Sequence, residues 1–203
     1  MKNIINISLM TIAILVFAVS IGSAQIAEKD QFVIRVGAEG TVQVGDSSDD
    51  SEVGPSFNVS IGYGLGYGAT VYLETGLGWS NYSADEDLSL AQFPILFGVN
   101  YNFAELLNTK DVQPYFGVAA GLYNNVLRRD GESVYINNEE QCTSNFGMEA
   151  IAGINFKIPD SNFGVDLRAK YNYVFSNTDG IGLETYDRSA INFGLGISYG
   201  FSL

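Results

Sequence analysis

The chain has 203 residues, with 23 Asp or Glu against 10 Lys or Arg, no histidine and one cysteine. A net charge of −13 repels nucleic acid and leaves no basic patch for an anionic bilayer face. One cysteine, Cys142, rules out an internal disulfide scaffold, and the length suits a single domain.

Residues 1–24 read as a secretory signal peptide. Lys2 gives the positive start, Ile4 to Ile21 is mostly apolar, and Gly22-Ser23-Ala24 supplies the small residues of a cleavage site. The mature domain is then 25–203. It is rich in glycine (23 residues), phenylalanine (13) and tyrosine (12), a composition that suits strands with one greasy and one small-residue face.

Eight segments follow with a period of two, the spacing of a strand whose faces differ. The first is Phe32–Val44, with Ile34, Val36, Ala38, Val42 and Val44 opposed to Arg35, Glu39, Thr41 and Gln43. Phe57–Leu65 sets Phe57, Val59, Ile61, Tyr63 and Leu65 against Asn58, Ser60, Gly62 and Gly64. Ala69–Ser80 opposes Val71, Leu73, Leu77 and Trp79 to Thr70, Tyr72 and Glu74. Gln92–Phe103 opposes Phe93, Ile95, Phe97, Val99, Tyr101 and Phe103 to Gln92, Pro94, Leu96, Gly98 and Asn100. Pro114–Asn124 alternates most weakly, with Phe116, Val118, Ala120 and Leu122 on one face. Asn145–Lys157 places Phe146, Met148, Ile154 and Phe156 against Glu149, Gly153, Asn155 and Lys157. In Phe163–Phe175, Val165, Leu167, Tyr171 and Tyr173 alternate with Asp166, Arg168, Lys170 and Asn172. The last, Ala190–Leu203, is the most regular: Ile191, Phe193, Leu195, Ile197, Tyr199 and Phe201 stand between Asn192, Gly194, Gly196, Ser198 and Gly200. Such a strand is long enough to cross a bilayer at a tilt, which takes roughly 9–11 residues.

Connections 45–55, 81–91, 125–144 and 176–189 read as long and polar. Connections 66–68 and 158–162 are short, and 104–113 is intermediate, long enough for one helical turn. Long-short alternation belongs to an up-and-down outer-membrane barrel. With both termini periplasmic, the aromatics sort into two bands. Phe32, Tyr101, Phe103, Phe116, Phe156, Phe163, Tyr199 and Phe201 fall at the periplasmic ends; Phe57, Trp79, Phe93, Phe146, Tyr173, Phe175 and Phe193 fall at the outer ends. Interfacial girdles require this arrangement, and a soluble sandwich has no reason for it.

Three stretches carry a family resemblance: 113–122 (QPYFGVAAGL), 166–171 (DLRAKY) and 194–201 (GLGISYGF). The chain resembles the small porin-like and opacity-like outer-membrane barrels grouped around the OmpA transmembrane domain. The likeness spans 25–203. It implies an all-β, eight-stranded antiparallel up-and-down transmembrane β-barrel in the bacterial outer membrane. It also implies contact with lipid and lipopolysaccharide, assembly through the C-terminal strand by the barrel assembly machinery, and a monomer. Such barrels typically end on an aromatic, whereas this chain ends Phe201-Ser202-Leu203.

The inward face collects Arg35, Glu39, Glu74, Glu149, Lys157, Asp166, Arg168 and Lys170, four of each sign. Eight strands enclose a bore just wide enough for side chains to fill, so these charges must pair. Neighbouring strands place Glu149 within reach of Arg168 or Lys170. Gly62, Gly64, Gly194, Gly196 and Gly200 either make room for long charged side chains or ease curvature. The favoured lumen is a salt-bridged plug, with a narrow solute path as the alternative. Asp46, Asp49, Asp50 and Glu52 in the first outer loop are candidate divalent-cation ligands, but without EF-hand spacing a solvated acidic loop is the favoured reading. No catalytic or cofactor site is expected: histidine is missing, and the lumen carboxylates have cations to neutralise them. The functions kept are a structural or surface-interacting barrel whose loops meet an external ligand, a small-solute pore, and a secreted soluble ligand carrier.

Overall fold

A chain whose strands are greasy on one face can satisfy every backbone polar group in lipid only by closing the sheet on itself. The computed structural model describes residues 29–44, 53–82, 85–104, 106–109, 111–136, 139–140, 142–175 and 188–202. Eight strands form the wall: β1 (Phe32–Val44), β2 (Gly54–Gly66), β3 (Ala69–Tyr82), β4 (Asp85–Asn102), β5 (Val112–Arg129), β6 (Cys142–Lys157), β7 (Phe163–Val174) and β8 (Arg188–Phe201). Each pairs antiparallel with its neighbours in sequence. β1 and β8 close the ring in unbroken register from Phe32 opposite Phe201 to Val44 opposite Ser189.

The faces fall as the alternation requires. The outward rows are exposed, with Val36 at 57%, Phe97 at 61% and Ile197 at 59%, while the inward Glu74 and Asp166 are at 2% and 0%. The aromatic contacts form two separate sets. At the end holding both termini, Phe32 meets Tyr63 at 5.0 Å and Phe201 at 5.7 Å, Phe163 meets Tyr199 at 4.6 Å, and Tyr101 meets Phe103 at 5.1 Å. At the other end, Phe57 meets Trp79 at 6.2 Å, and Phe175 meets both Phe146 at 6.0 Å and Tyr173 at 4.9 Å. Tyr63 thus joins the periplasmic set through its cross-strand place opposite Phe32.

Two expected outer loops are largely strand. Instead of a long connection over 81–91, β3 runs to Tyr82 and β4 begins at Asp85. β5 extends beyond the expected Asn124 to Arg129, which pairs with Leu88, so the β3–β4–β5 wall stands higher than the rest. Past it, Asp130 and Gly131 have φ of 51° and 82°, and Arg128–Arg129 pair back onto Glu132–Ser133. An Asp-Gly pair with both φ positive is the two-residue turn that matches strand twist. Short pairings Tyr135–Ile136 with Glu139–Glu140 add a further ladder within the expected loop 125–144. At the periplasmic end, Gly66-Tyr67-Gly68 turns the chain with φ of 90°, 53° and 78°, a left-handed run in which the flanking glycines carry no Cβ penalty. The 104–113 connection makes turn hydrogen bonds, Leu107 N to Phe103 O at 3.0 Å and Thr109 N to Ala104 O at 3.0 Å.

Pro94 sits inside β4, where proline removes a ladder donor. The β3–β4 ladder accordingly lacks partners between Thr75–Ile95 and Gly78–Gln92 while its register is kept, and the Thr75 hydroxyl donates to the Pro94 carbonyl at 2.8 Å.

Phe97 lies on the exposed row of β4, four residues from each of the banded aromatics Phe93 and Tyr101. Phe97→Arg is expected to destabilise the barrel by roughly 2–4 kcal/mol, the cost of a basic residue at bilayer mid-depth. Reversible urea unfolding in lipid vesicles measures it, and a change near zero would mean that this row does not face hydrocarbon.

Candidate functional site

β7 sends every second side chain into the bore, so Asp166, Arg168 and Lys170 stack along one inner row. β1 contributes Arg35 and Glu39, β3 Glu74 and β6 Glu149, all at most 7% exposed. Arg168 Nε lies 2.8 Å from Glu39 Oε1 and 3.8 Å from Asp166 Oδ1, and its Nη1 lies 3.6 Å from Glu74 Oε2. Its Nη2 donates to Asn58 Oδ1. Lys170 Nζ pairs with Glu74, with Glu39 Oε1 at 3.3 Å and with Glu149 Oε2 at 3.5 Å. Arg35 Nε lies 3.7 Å from Asp166 Oδ2, and its guanidinium sits over the Tyr115 ring at 5.4 Å. In a ring of eight strands β3 and β7 are opposite, so the pairs of Glu74 with Arg168 and Lys170 span the bore.

The structure therefore brings together seven of the eight lumen residues: three cations and four carboxylates. Lys157 is not among them. It is half-buried at the periplasmic end of β6, and none of the described ion pairs includes it. The alternation gave the correct face, but the residue lies too far along the strand to reach the cluster.

The wall opposite β1 is filled by a group that charge patterning does not reveal. Tyr72, Leu96, Tyr115, Ala119, Tyr123, Ile151 and Val174 pack as a buried core inside the bore. The rings of Tyr72, Tyr115 and Tyr123 lie over Gly98, Gly153 and Gly147 on neighbouring strands, where a Cβ would strike them. Gly37 and Gly194 do the same for Arg168 and Glu39. Of the glycines singled out in the sequence, Gly194 makes room for a charged side chain, whereas Gly62 faces Thr70 and Tyr72. The signal for the rest was cross-strand: an inward tyrosine opposite a glycine, visible only once register is known.

Below the ion cluster, polar contacts link neighbouring inward side chains. Tyr115 Oη donates to Asp166 Oδ1 at 2.9 Å, and Asn155 Nδ2 donates to Ser198 Oγ at 3.1 Å. Above it the described residues line a vestibule whose sides include Thr41, Gln43, Ser56, Ser80 and Gln92. Asp46, Asp49, Asp50 and Glu52 lie outside the described residues, as do residues 1–24. Among the described residues no group of three His, Cys, Asp or Glu is placed to hold a metal ion. Cys142 is exposed at the outer start of β6.

Comparison with known proteins places this geometry. The family described as outer membrane protein beta-barrel domain matches residues 11–201. The crystal structure of Neisserial surface protein A is similar with a TM-score of 0.63 at 16% identity, over 84% of this chain and 97% of that one. Ail, the attachment invasion locus protein of Yersinia pestis, is similar with a TM-score of 0.52 at 15% identity, over 85% and 99%. OprG of Pseudomonas aeruginosa gives 0.53 at 12% identity, over 89% and 100%. At these identities the likeness is one of fold. No curated protein matches the chain.

Arg168 joins three of the four carboxylates, so its removal strands buried negative charge. Arg168→Met is expected to cost roughly 3–5 kcal/mol, the range for breaking a buried pair, while Lys157→Met changes stability by no more than about 0.5 kcal/mol. Urea unfolding followed by heat-modifiable gel mobility checks both. Equal effects would show that the cluster does not hold the barrel together.

Proposed function

The chain belongs to the outer membrane protein beta-barrel domain family, and from that premise we propose a structural, surface-interacting barrel of the bacterial outer membrane whose bore is plugged by its own side chains. Residues 1–24 direct export. Lipid and lipopolysaccharide surround the wall, and the barrel assembly machinery engages β8. Closure of β1 on β8 leaves no free sheet edge, which favours a monomer.

The observation that carries the plug is the bridge of Arg168 and Lys170 to Glu74 across the ring. Conduction would require these pairs to part in a low-dielectric bore, where their attraction is strongest. The same pairing holds the carboxylates in ionic contacts and away from acid-base work, which supports a non-catalytic protein. The soluble-carrier reading is set aside, because the apolar rows face outward and the ionic groups lie within. The narrow-pore reading remains the competitor, with a direct test. In planar bilayers the wild-type barrel is expected to give no stable conductance steps. Reproducible steps from the wild type would overturn the plug.

The surface role rests on charge. From the outer strand ends and the connections between them, fourteen Asp or Glu face three basic residues, Arg128, Arg129 and Arg188. Ail has been crystallised with the heparin analogue sucrose octasulfate. An acidic exterior favours a cationic partner and repels a polyanion of that kind. The intact barrel is expected to pass unretained through a heparin column at low salt, and retention would remove the acidic-surface reading.

A further inference from the structure

The ion cluster is not neutral. Arg35, Arg168 and Lys170 face Glu39, Glu74, Glu149 and Asp166, so one negative charge is left over. The residue least served is Glu149. Its Oε2 shares Lys170 Nζ, at 3.5 Å, with Glu39 and Glu74. Its Oε1 is buried with no hydrogen-bond donor, and the residue is 4% exposed.

Glu149 lies on the floor of the outer vestibule, and the orphaned atoms around it share one character. Leaving aside Glu39 Oε1, which is ion-paired with Arg168 and Lys170, five buried polar atoms of the described vestibule lining lack a hydrogen-bond partner, and four are oxygens: Glu149 Oε1, Asn172 Oδ1, Asn192 Oδ1 and Tyr123 Oη. The fifth is the Asn58 amide nitrogen. Register explains the grouping. Asn172 on β7 stands opposite Glu149 on β6, and Asn192 on β8 stands opposite Lys170. All three of Tyr123, Asn172 and Asn192 are at least nine-tenths buried. A buried carboxylate oxygen without a donor is costly, and so is a buried carbonyl oxygen.

We propose that the floor of the outer vestibule binds one small monovalent cation, an alkali-metal ion or a primary ammonium, against Glu149 with Asn172, Asn192 and Tyr123 as further oxygen partners. The charge selects the valence. A single positive charge brings the cluster to neutrality, while a divalent ion would leave an equal and opposite excess. The described residues also offer no group of three acidic or imidazole ligands for a divalent ion. Anions are repelled by the same carboxylate. The vestibule lies on the outer side of the cluster, with Gln43, Ser56 and Gln92 in its lining. The site does not depend on whether the bore conducts: channel steps from the wild type would remove the plug and leave the measurements below intact.

The test uses the full barrel in nanodiscs at fixed pH and ionic strength, with chloride supplied as the rubidium, ammonium or N-methyl-D-glucamine salt. The last cation is far bulkier than the other two. The unfolding midpoint is expected to be higher in rubidium or ammonium than in N-methyl-D-glucamine, and to rise with the logarithm of their concentration, as ligand linkage requires. The difference is expected to vanish in Glu149→Gln, which keeps the side-chain shape, and to persist in Lys157→Gln. A rise in rubidium alone assigns the site to alkali ions, and a rise in ammonium alone assigns it to amines. Crystals of the wild type grown in rubidium are expected to show an anomalous peak in contact with Glu149 Oε1, so the proposal stays testable even if Glu149→Gln does not fold. Equal midpoints in all three salts with no such peak would overturn it, leaving those oxygens to water or to a proton on Glu149.

Discussion

Closure of β1 against β8 is the constraint from which the other features follow. A bilayer offers no partner to a free N–H or C=O, so a sheet can lie in it only without edges. Thirteen consecutive register pairs from Phe32–Phe201 to Val44–Ser189 remove that edge. Once the ring is shut, the period of two divides every strand between oil and bore. The charged residues of β1, β3, β6 and β7 then have no solvent to retreat to. They must answer one another across a space a few side chains wide, and Arg168 and Lys170 reach Glu74 on the far wall.

Buried ion pairs are weak contributors to net stability, since desolvation offsets most of their attraction. Their stronger effect here is on register. A slip of one residue exchanges the two faces of a strand. On β7 it would carry Asp166, Arg168 and Lys170 together into hydrocarbon, and for the two basic residues alone the cost is about 2–4 kcal/mol each near mid-depth. A lumen of small apolar groups would impose no such penalty. The ionic row therefore pins β7 between β6 and β8, and the glycines opposite the long side chains, Gly37 and Gly194, keep the space into which those chains must fit.

How much of this was legible depends on the range of each signal. Face and strand identity are local, and they were read correctly: β1 occupies Phe32–Val44 as the alternation indicated, and β7 and β8 differ from expectation by no more than two residues at either end. Strand ends beyond the membrane are set by turn chemistry, and there polarity misled. The stretch 81–91 looks like loop because it is acidic, yet its residues 81–82 and 85–91 are strand. Asp130-Gly131 is a hairpin signal within the stretch read as an undivided loop, and attending to it would have lengthened β5. The tyrosine-on-glycine packing could not be read at all, since Tyr115 and Gly153 become neighbours only through the β5–β6 register. Lys157 failed for a related reason: alternation gives a residue's side but not its height.

The two halves of the bore are unlike, and this gives the molecule a direction. Below the ions, Tyr115 bonds to Asp166 and Asn155 to Ser198, and all four residues are almost wholly inaccessible. Above them, the inner wall carries Thr41, Gln43, Ser56, Ser80 and Gln92 around an open vestibule. A group reaching the cluster from the exterior therefore meets Glu39, Glu74 and Glu149, which line the vestibule. Those carboxylates belong electrostatically to the same face as the acidic outer connections. Both favour positive charge arriving from outside, the connections in high dielectric where salt screens them, and the vestibule floor in low dielectric where it does not.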